Sequence, residues 1–371
     1  MVIAVGAVVL RAHDQASTPP ASTPNPTIVQ PAPNGIATES VSAGNSDPAL
    51  VSRSEGWVCD QPLRHTTDGG RTWQAIPVPL PAGYGFNCEF LAGGRAWLGT
   101  GGDLLNEPPT VVRIVAGQQP QISRVQLPGS TPQETLASLT FTNDDRGWAL
   151  TSLQLDKSHH YRNRNDLYAT TDGGRHWHLL AADAPIAGGL EFTSATRGWA
   201  ADGSVLRRTN DGGRTWTRVS VTLPPTISDS PTLESVFVFG SRIVVDGVRP
   251  EAKTPIKGTD VSVATVGDLF VDVSDDNGQT WSSRIINTRP PVVVFPLGFP
   301  PNFVAVDASH WRFYGYGVYV TNDAGVSWMN SGNALAVIGG GSQGGMSFIT
   351  SELGWVTSCR TAAGTPGALP N

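Results

Sequence analysis

Thr66-Thr67-Asp68-Gly69-Gly70-Arg71-Thr72-Trp73 returns four times along the chain, at residues 170–177, 209–216, 274–281 and 321–328. The shared skeleton is Ser/Thr-x-Asp-x-Gly-x-Ser/Thr-Trp, and only His176 departs from it at the seventh position. Each residue type suits a tight connection between two strands. An Asp carboxylate accepts hydrogen bonds from the N–H groups of its own turn. A fixed Gly permits positive φ, and a Trp packs beneath the turn while its indole N–H seeks a carbonyl. Five copies at this level of agreement specify a repeat architecture. They assign Asp68, Gly70, Trp73, Asp172, Gly174, Trp177, Asp211, Gly213, Trp216, Asp276, Gly278, Trp281, Asp323, Gly325 and Trp328 to structure, not chemistry.

A second signature interleaves with the first. Phe141-Thr142-Asn143-Asp144-Asp145-Arg146-Gly147-Trp148 recurs as Phe192 with Gly198-Trp199 and as Phe348 with Gly354-Trp355. Weaker copies end at Trp57, Trp97 and Trp311. Together the two signatures account for all 11 tryptophans and leave none for a dedicated sugar-stacking platform. The Gly-Trp positions recur about every 40–50 residues, with one longer gap that hides a degenerate copy near residues 241–245, which is the period of a propeller blade. The fold expected is therefore all-β: a seven-bladed β-propeller of four-stranded antiparallel blades. Its blades begin near residues 48, 86, 134, 188, 232, 302 and 344.

Composition agrees with that reading. The chain of 371 residues holds 42 Gly, 29 Pro and only 15% charged residues, as a turn-rich β protein should. A formal charge of −6 argues against a nucleic-acid partner, which needs a basic stripe. Cys59, Cys88 and Cys359 are too few and too spread for a zinc site; they permit one disulfide in an oxidising compartment.

The N-terminal region divides in two. Residues 1–15 begin with an apolar run, Met1 to Leu10, suited to a signal or anchor remnant and too short to span a bilayer at about 20 residues. Residues 16–47 are rich in Pro, Ser and Thr and read as a disordered stalk. Thr27-Ile28-Val29-Gln30-Pro31 resembles the outer strands at Val125 and Val221, so it is expected to close the last blade. The propeller then occupies 48–371. Such an arrangement predicts an extracytoplasmic protein, secreted or tethered to the cell membrane through its N-terminus alone, and monomeric.

The first signature resembles the Asp-box, or bacterial neuraminidase repeat, of sialidases and related propellers. Its alternation with Phe-x-x-x-x-x-Gly-Trp resembles most closely the photosystem II assembly and stability factor family, over residues 48–360. The resemblance implies the propeller fold and, more weakly, a non-catalytic assembly scaffold, because one fold hosts many functions. A sialidase would carry an early Phe/Tyr-Arg-Ile-Pro strand, an Arg trio and a Tyr nucleophile. The nearest strings, around Arg113, Arg242 and Arg284, do not fit, and none of the six tyrosines stands in a nucleophile's context. An exo-sialidase-like or other glycoside hydrolase, and a carbohydrate-binding surface module, are the alternatives.

Strand order places both repeated turns on one face, which also gathers Arg71, Arg95, Arg146, Arg175, Arg197 and Arg214. The opposite face carries irregular insertions, and loops on a rigid scaffold usually carry function. One holds Lys157, His159, His160, Tyr161, Arg162 and Arg164; another holds Phe295 and Phe299 in a Pro-rich apolar stretch. These eight are the candidate binding residues, for a protein partner or surface glycan. No catalytic residue, cofactor or metal is expected. His176 and His178 share a strand face but lack a third ligand, and the Gly-rich 339–345 precedes no helix that could hold phosphate.

Overall fold

The computed structural model describes residues 2–8, 41–43, 48–78, 87–102, 106–155, 162–222, 232–250, 254–255, 262–263, 266–286, 302–314, 317–333, 346–348, 350 and 354–360. Every regular element among them is a strand, and no helix there is long and apolar enough to cross a membrane.

Six blades follow in chain order, each a four-stranded antiparallel meander. Blade one is built from Pro48–Leu50, Gly56–Val58, Leu63–Thr66 and Gln74–Ile76. Blade two is Asn87–Leu91, Arg95–Gly102, Glu107–Val115 and Gln121–Gln126, and blade three Thr135–Phe141, Gly147–Gln154, Asn163–Thr170 and His178–Ala181. Blade four is Leu190–Phe192, Gly198–Asp202, Val205–Thr209 and Thr217–Val219. Blade five uses Thr232–Phe239, Arg242–Pro250, Val266–Ser274 and Ser282–Ile286, and blade six Asn302–Ala305, Trp311–Tyr314, Gly317–Thr321 and Met329–Asn333.

The expected count of seven blades is corrected to six. Met346–Phe348 and Gly354–Arg360, expected to open a seventh blade, form a three-stranded sheet with Val2–Val8. The last Phe-to-Trp signature thus encodes a hairpin whose third strand, among the described residues, comes from the N-terminal segment. Val2 lies opposite Arg360 and Val8 opposite Gly354. Residues 27–31, expected beside this hairpin, lie outside the described residues. Val41–Ala43, within the stretch read as stalk, adds a fifth strand to blade two, with Val41 opposite Phe90.

Apolar packing sits between blades. Trp57 and Phe90 lie between blades one and two, Trp97 and Phe141 between two and three, and Trp148 and Phe192 between three and four. Phe270 packs with Trp199 between four and five, and Phe303 with Trp311 between five and six. Here the second signature acquires its physical meaning. Its Trp stacks on the Phe of the next blade, with ring centroids 4.0 Å apart for Trp97–Phe141 and 3.7 Å for Trp148–Phe192. Its Gly lets the same blade's Phe lie flat: a Cβ on Gly147 would sit 2.5 Å from the Phe141 ring, and one on Gly198 2.6 Å from Phe192.

Candidate functional site

The five Asp-turns share one hydrogen-bond pattern. In the first, the Thr66 hydroxyl donates to Asp68 Oδ1 (2.8 Å) and accepts from Gly70 N (3.0 Å). Thr72 N donates to Asp68 Oδ1 and the Thr72 hydroxyl to Oδ2, at 2.9 and 2.6 Å. The same set recurs around Asp211, Asp276 and Asp323. Around Asp172 the odd residue His176 supplies Nδ1, 2.6 Å from Oδ2, where the others supply a hydroxyl. Trp73, Trp216 and Trp281 donate their indole N–H to the carbonyl of the turn's own Gly, whereas those of Trp177 and Trp328 find no acceptor.

These bonds hold the carboxylates ionised. The Thr72 hydroxyl, then the Thr72 N–H, brings Asp68 down to about 2, and Ser327 does the same for Asp323. Partial burial pushes Asp172 and Asp211 upward, but their hydrogen bonds outweigh it and both also fall to about 2. Folded values below the unfolded ones mean that this stabilisation is complete above about pH 4 and disappears as pH falls through 2.

The fourth residue of each turn couples the turn to two neighbours. Its N–H reaches the other turn of its own blade: Gly173 N to Asp145 O (2.7 Å), Gly212 N to Thr196 O (2.8 Å), Ala324 N to Ser309 O (2.9 Å). This confirms that both turns share one face. In the turns of blades three to six its carbonyl is taken by the preceding blade. Trp97 Nε1 donates to Gly173 O and Trp148 Nε1 to Gly212 O, both at 2.9 Å. Arg208 Nη1 donates to Asn277 O (3.3 Å), and Arg284 Nη1 to Ala324 O. At this position φ is positive: 74° at Gly69 and Gly173, 77° at Gly212, and 59° at Ala324. A Cβ in that region costs about 1–2 kcal/mol, partly offset by the greater freedom of unfolded Gly, so Ala324→Gly should stabilise the protein by roughly 0.5–1 kcal/mol. A urea midpoint that does not rise, at constant slope, refutes this.

Of the six arginines gathered on the turn face, five are held by partners. Arg71, Arg175 and Arg214 fold back onto the carbonyls of Asp68, Asp172 and Asp211. Arg95 pairs with Asp144 at 2.5 Å, and Arg197 reaches Asn277 Oδ1 at 3.5 Å.

On the opposite face the structure gathers a cluster that the sequence reading missed. Glu134, 1% exposed, accepts from the Thr151 hydroxyl (3.0 Å) and from Arg164 Nη2 (3.2 Å). The same Nη2 lies 3.2 Å from Asp166 Oδ2, and Asp183 N donates to Asp166 Oδ1 at 2.9 Å. Tyr168, 2% exposed, completes the row; burial first, then the charges of Glu134 and Asp166, pushes its hydroxyl up to about 12. Strand alternation puts Arg164, Asp166 and Tyr168 on one side of Asn163–Thr170. Arg162 is exposed at the base of the insertion, where its carbonyl accepts from Leu155 N (2.9 Å). Of the eight candidate binding residues, then, Arg162 and Arg164 stand at this end of blade three. Lys157, His159, His160, Tyr161, Phe295 and Phe299 lie outside the described residues.

Chemically the cluster is closed. One guanidinium serves two buried carboxylates, so its charge is not offered to an anionic substrate, and a phenol held near 12 is no nucleophile at neutral pH. Blade five carries further buried acids. Burial and then the charge of Glu234 push Asp246 up to about 7, against a hydrogen bond from Ser235 N at 3.0 Å. Asp272 is wholly buried with no full hydrogen bond to either oxygen, and burial drives it up to about 7 against a weaker pull from its cross-strand neighbour Ser283. Among the described residues no group of three His, Cys, Asp or Glu side chains is placed to hold a metal ion. A disulfide joins Cys59 to Cys88 across blades one and two.

Fold and site thus define an all-β propeller with a braced turn face and an insertion-bearing face. No family model and no curated protein matches the sequence. Among solved structures the chain is similar to YCF48 bound to D1 peptide, at 15% identity over 85% of this chain and 91% of that one, with a TM-score of 0.51. YCF48 from Cyanidioschyzon merolae matches at 16% identity, 86% and 95% coverage and a TM-score of 0.49. An ancestral GH74 enzyme matches at 14% identity, 81% and 38% coverage and 0.45. The first likeness shows the propeller fold.

Proposed function

We propose that this protein is a non-catalytic interaction or assembly scaffold of an extracytoplasmic compartment, docking a protein partner on the insertion face. The observation that carries the reading is the disposition of charged groups. The carboxylates of all five Asp-turns are bound within their turns, and the blade-three acids share the Arg164 guanidinium, which leaves Arg162 exposed on a stiff base. Rigid bases under variable loops suit recognition. A YCF48 structure that holds a D1 peptide gives a propeller of this fold a protein ligand, and the Cys59–Cys88 disulfide supports an oxidising compartment.

Affinity purification of the full chain from the envelope of its source cells tests the reading. It should recover a protein partner, and Arg162→Glu should cut recovery about tenfold without changing the melting temperature, as loss of one interfacial charge contact does. Turnover of a fluorogenic sialoside or aryl glycoside, or a glycan-array signal without any protein partner, would instead favour the hydrolase or carbohydrate-binding alternative.

A further inference from the structure

We propose that the boundary between blades one and two is a redox-controlled seam, fastened by a disulfide where later boundaries are fastened by an Asp-turn. From blade three to blade six, each turn's fourth carbonyl is held by a Trp or Arg of the blade before it. Blade two has no Asp-turn. Trp57 occupies the same place as Trp97 and Trp148, stacked 5.2 Å from Phe90, yet its buried indole N–H has no acceptor.

Two other fastenings stand there instead. Cys59, just past the second strand of blade one, is bonded to Cys88 on the first strand of blade two. Glu55, in blade one's first turn, accepts from Gly93 N (2.9 Å) and Gly94 N (2.7 Å) in the matching turn of blade two. His65 Nε2 lies 3.1 Å from the same carboxylate. Val41–Ala43 pairs with the same blade-two strand, placing Ala43 opposite Cys88.

Both cysteines are wholly buried, at 0% and 1% exposure, so a reducing dithiol reaches them only when the seam opens. A thiolate of the dithiol attacks one sulfur, forms a mixed disulfide and expels the other cysteine as thiolate. The second thiol of the dithiol then displaces the first cysteine, giving the oxidised dithiol and two protein thiols, a two-electron exchange that balances. After reduction the Glu55 bonds and the Trp57–Phe90 packing remain. The unpartnered indole N–H favours any opening that admits water, since a buried donor without a partner is costly. Loosening is therefore local to this boundary, and the ring is fully fastened only under oxidising conditions.

Amide hydrogen exchange of the full chain, with and without a dithiol reductant, tests the proposal. After reduction, verified by thiol titration, exchange at Gly93, Gly94 and residues 56–58 should quicken at least about tenfold, while Gly173 and Gly212 keep their rates, as expected of a locally opened unit. The Cys59→Ala/Cys88→Ala variant should show the same pattern without reductant. Should that variant fail to fold, the reduced wild-type protein, folded at the outset, decides alone. Unchanged exchange at Gly93 and Gly94, or an equal rise at Gly173 and Gly212, overturns the proposal.

Discussion

Asp272→Asn raises the stability of the propeller at pH 8 and changes it little at pH 4. The sign follows from a folded-state value pushed from 3.8 up to about 7 by burial. A carboxyl harder to ionise when folded than when unfolded costs nothing while both states are protonated. The cost grows as pH rises from about 4 to 7 and is constant above that. At about 1.4 kcal/mol per unit, the full cost is about 4 kcal/mol, and asparagine keeps the shape without the charge, so a gain of about 2–4 kcal/mol is expected. Thermal melts at pH 4 and pH 8 give the answer. If wild type and variant shift equally between the two pH values, Asp272 is not the group responsible. Asp246 contributes in the same direction, whereas the turn carboxylates lose their stabilisation as pH falls from about 4 through 2, so wild-type stability should peak near pH 4.

Arg164→Ala destabilises the protein by about 2–3 kcal/mol at pH 7, because it leaves Glu134 and Asp166 buried without their shared cation. The value falls at the lower end for a broken buried pair because 38% of the Arg164 side chain meets solvent. Urea denaturation of wild type and variant measures the loss, and a deficit below about 1 kcal/mol would overturn the assignment. Glu134→Gln in the Arg164→Ala background should recover part of the loss at pH 7.

How much of this was legible in the sequence depends on the range of each interaction. Thr66, Asp68, Gly70 and Thr72 bond within eight residues, so the turn could be read directly, down to the hydroxyl that His176 replaces with a ring nitrogen. Blade number could not, because Phe348 and Trp355 repeat the signature of a blade's inner hairpin, while the strand that pairs with that hairpin, Val2–Val8, lies at the other end of the sequence. Arg164, Asp166 and Tyr168 share a strand face by simple alternation, which was available and was passed over. Glu134 lies far from them in sequence, so its place in the cluster needed the sheet's register. The same holds for Trp148 and Gly212, whose bond depends on how one blade seats on the next.

The bonds between blades also give the ring a direction. Trp97, Trp148, Arg208 and Arg284 are donors, and the carbonyl each one holds belongs to the blade that follows it in the chain. A ribosome therefore makes every donor before its acceptor. Each new turn emerges to find its anchoring side chain already synthesised, so the propeller can be assembled vectorially, one blade docking on the last, without waiting for its C-terminal end.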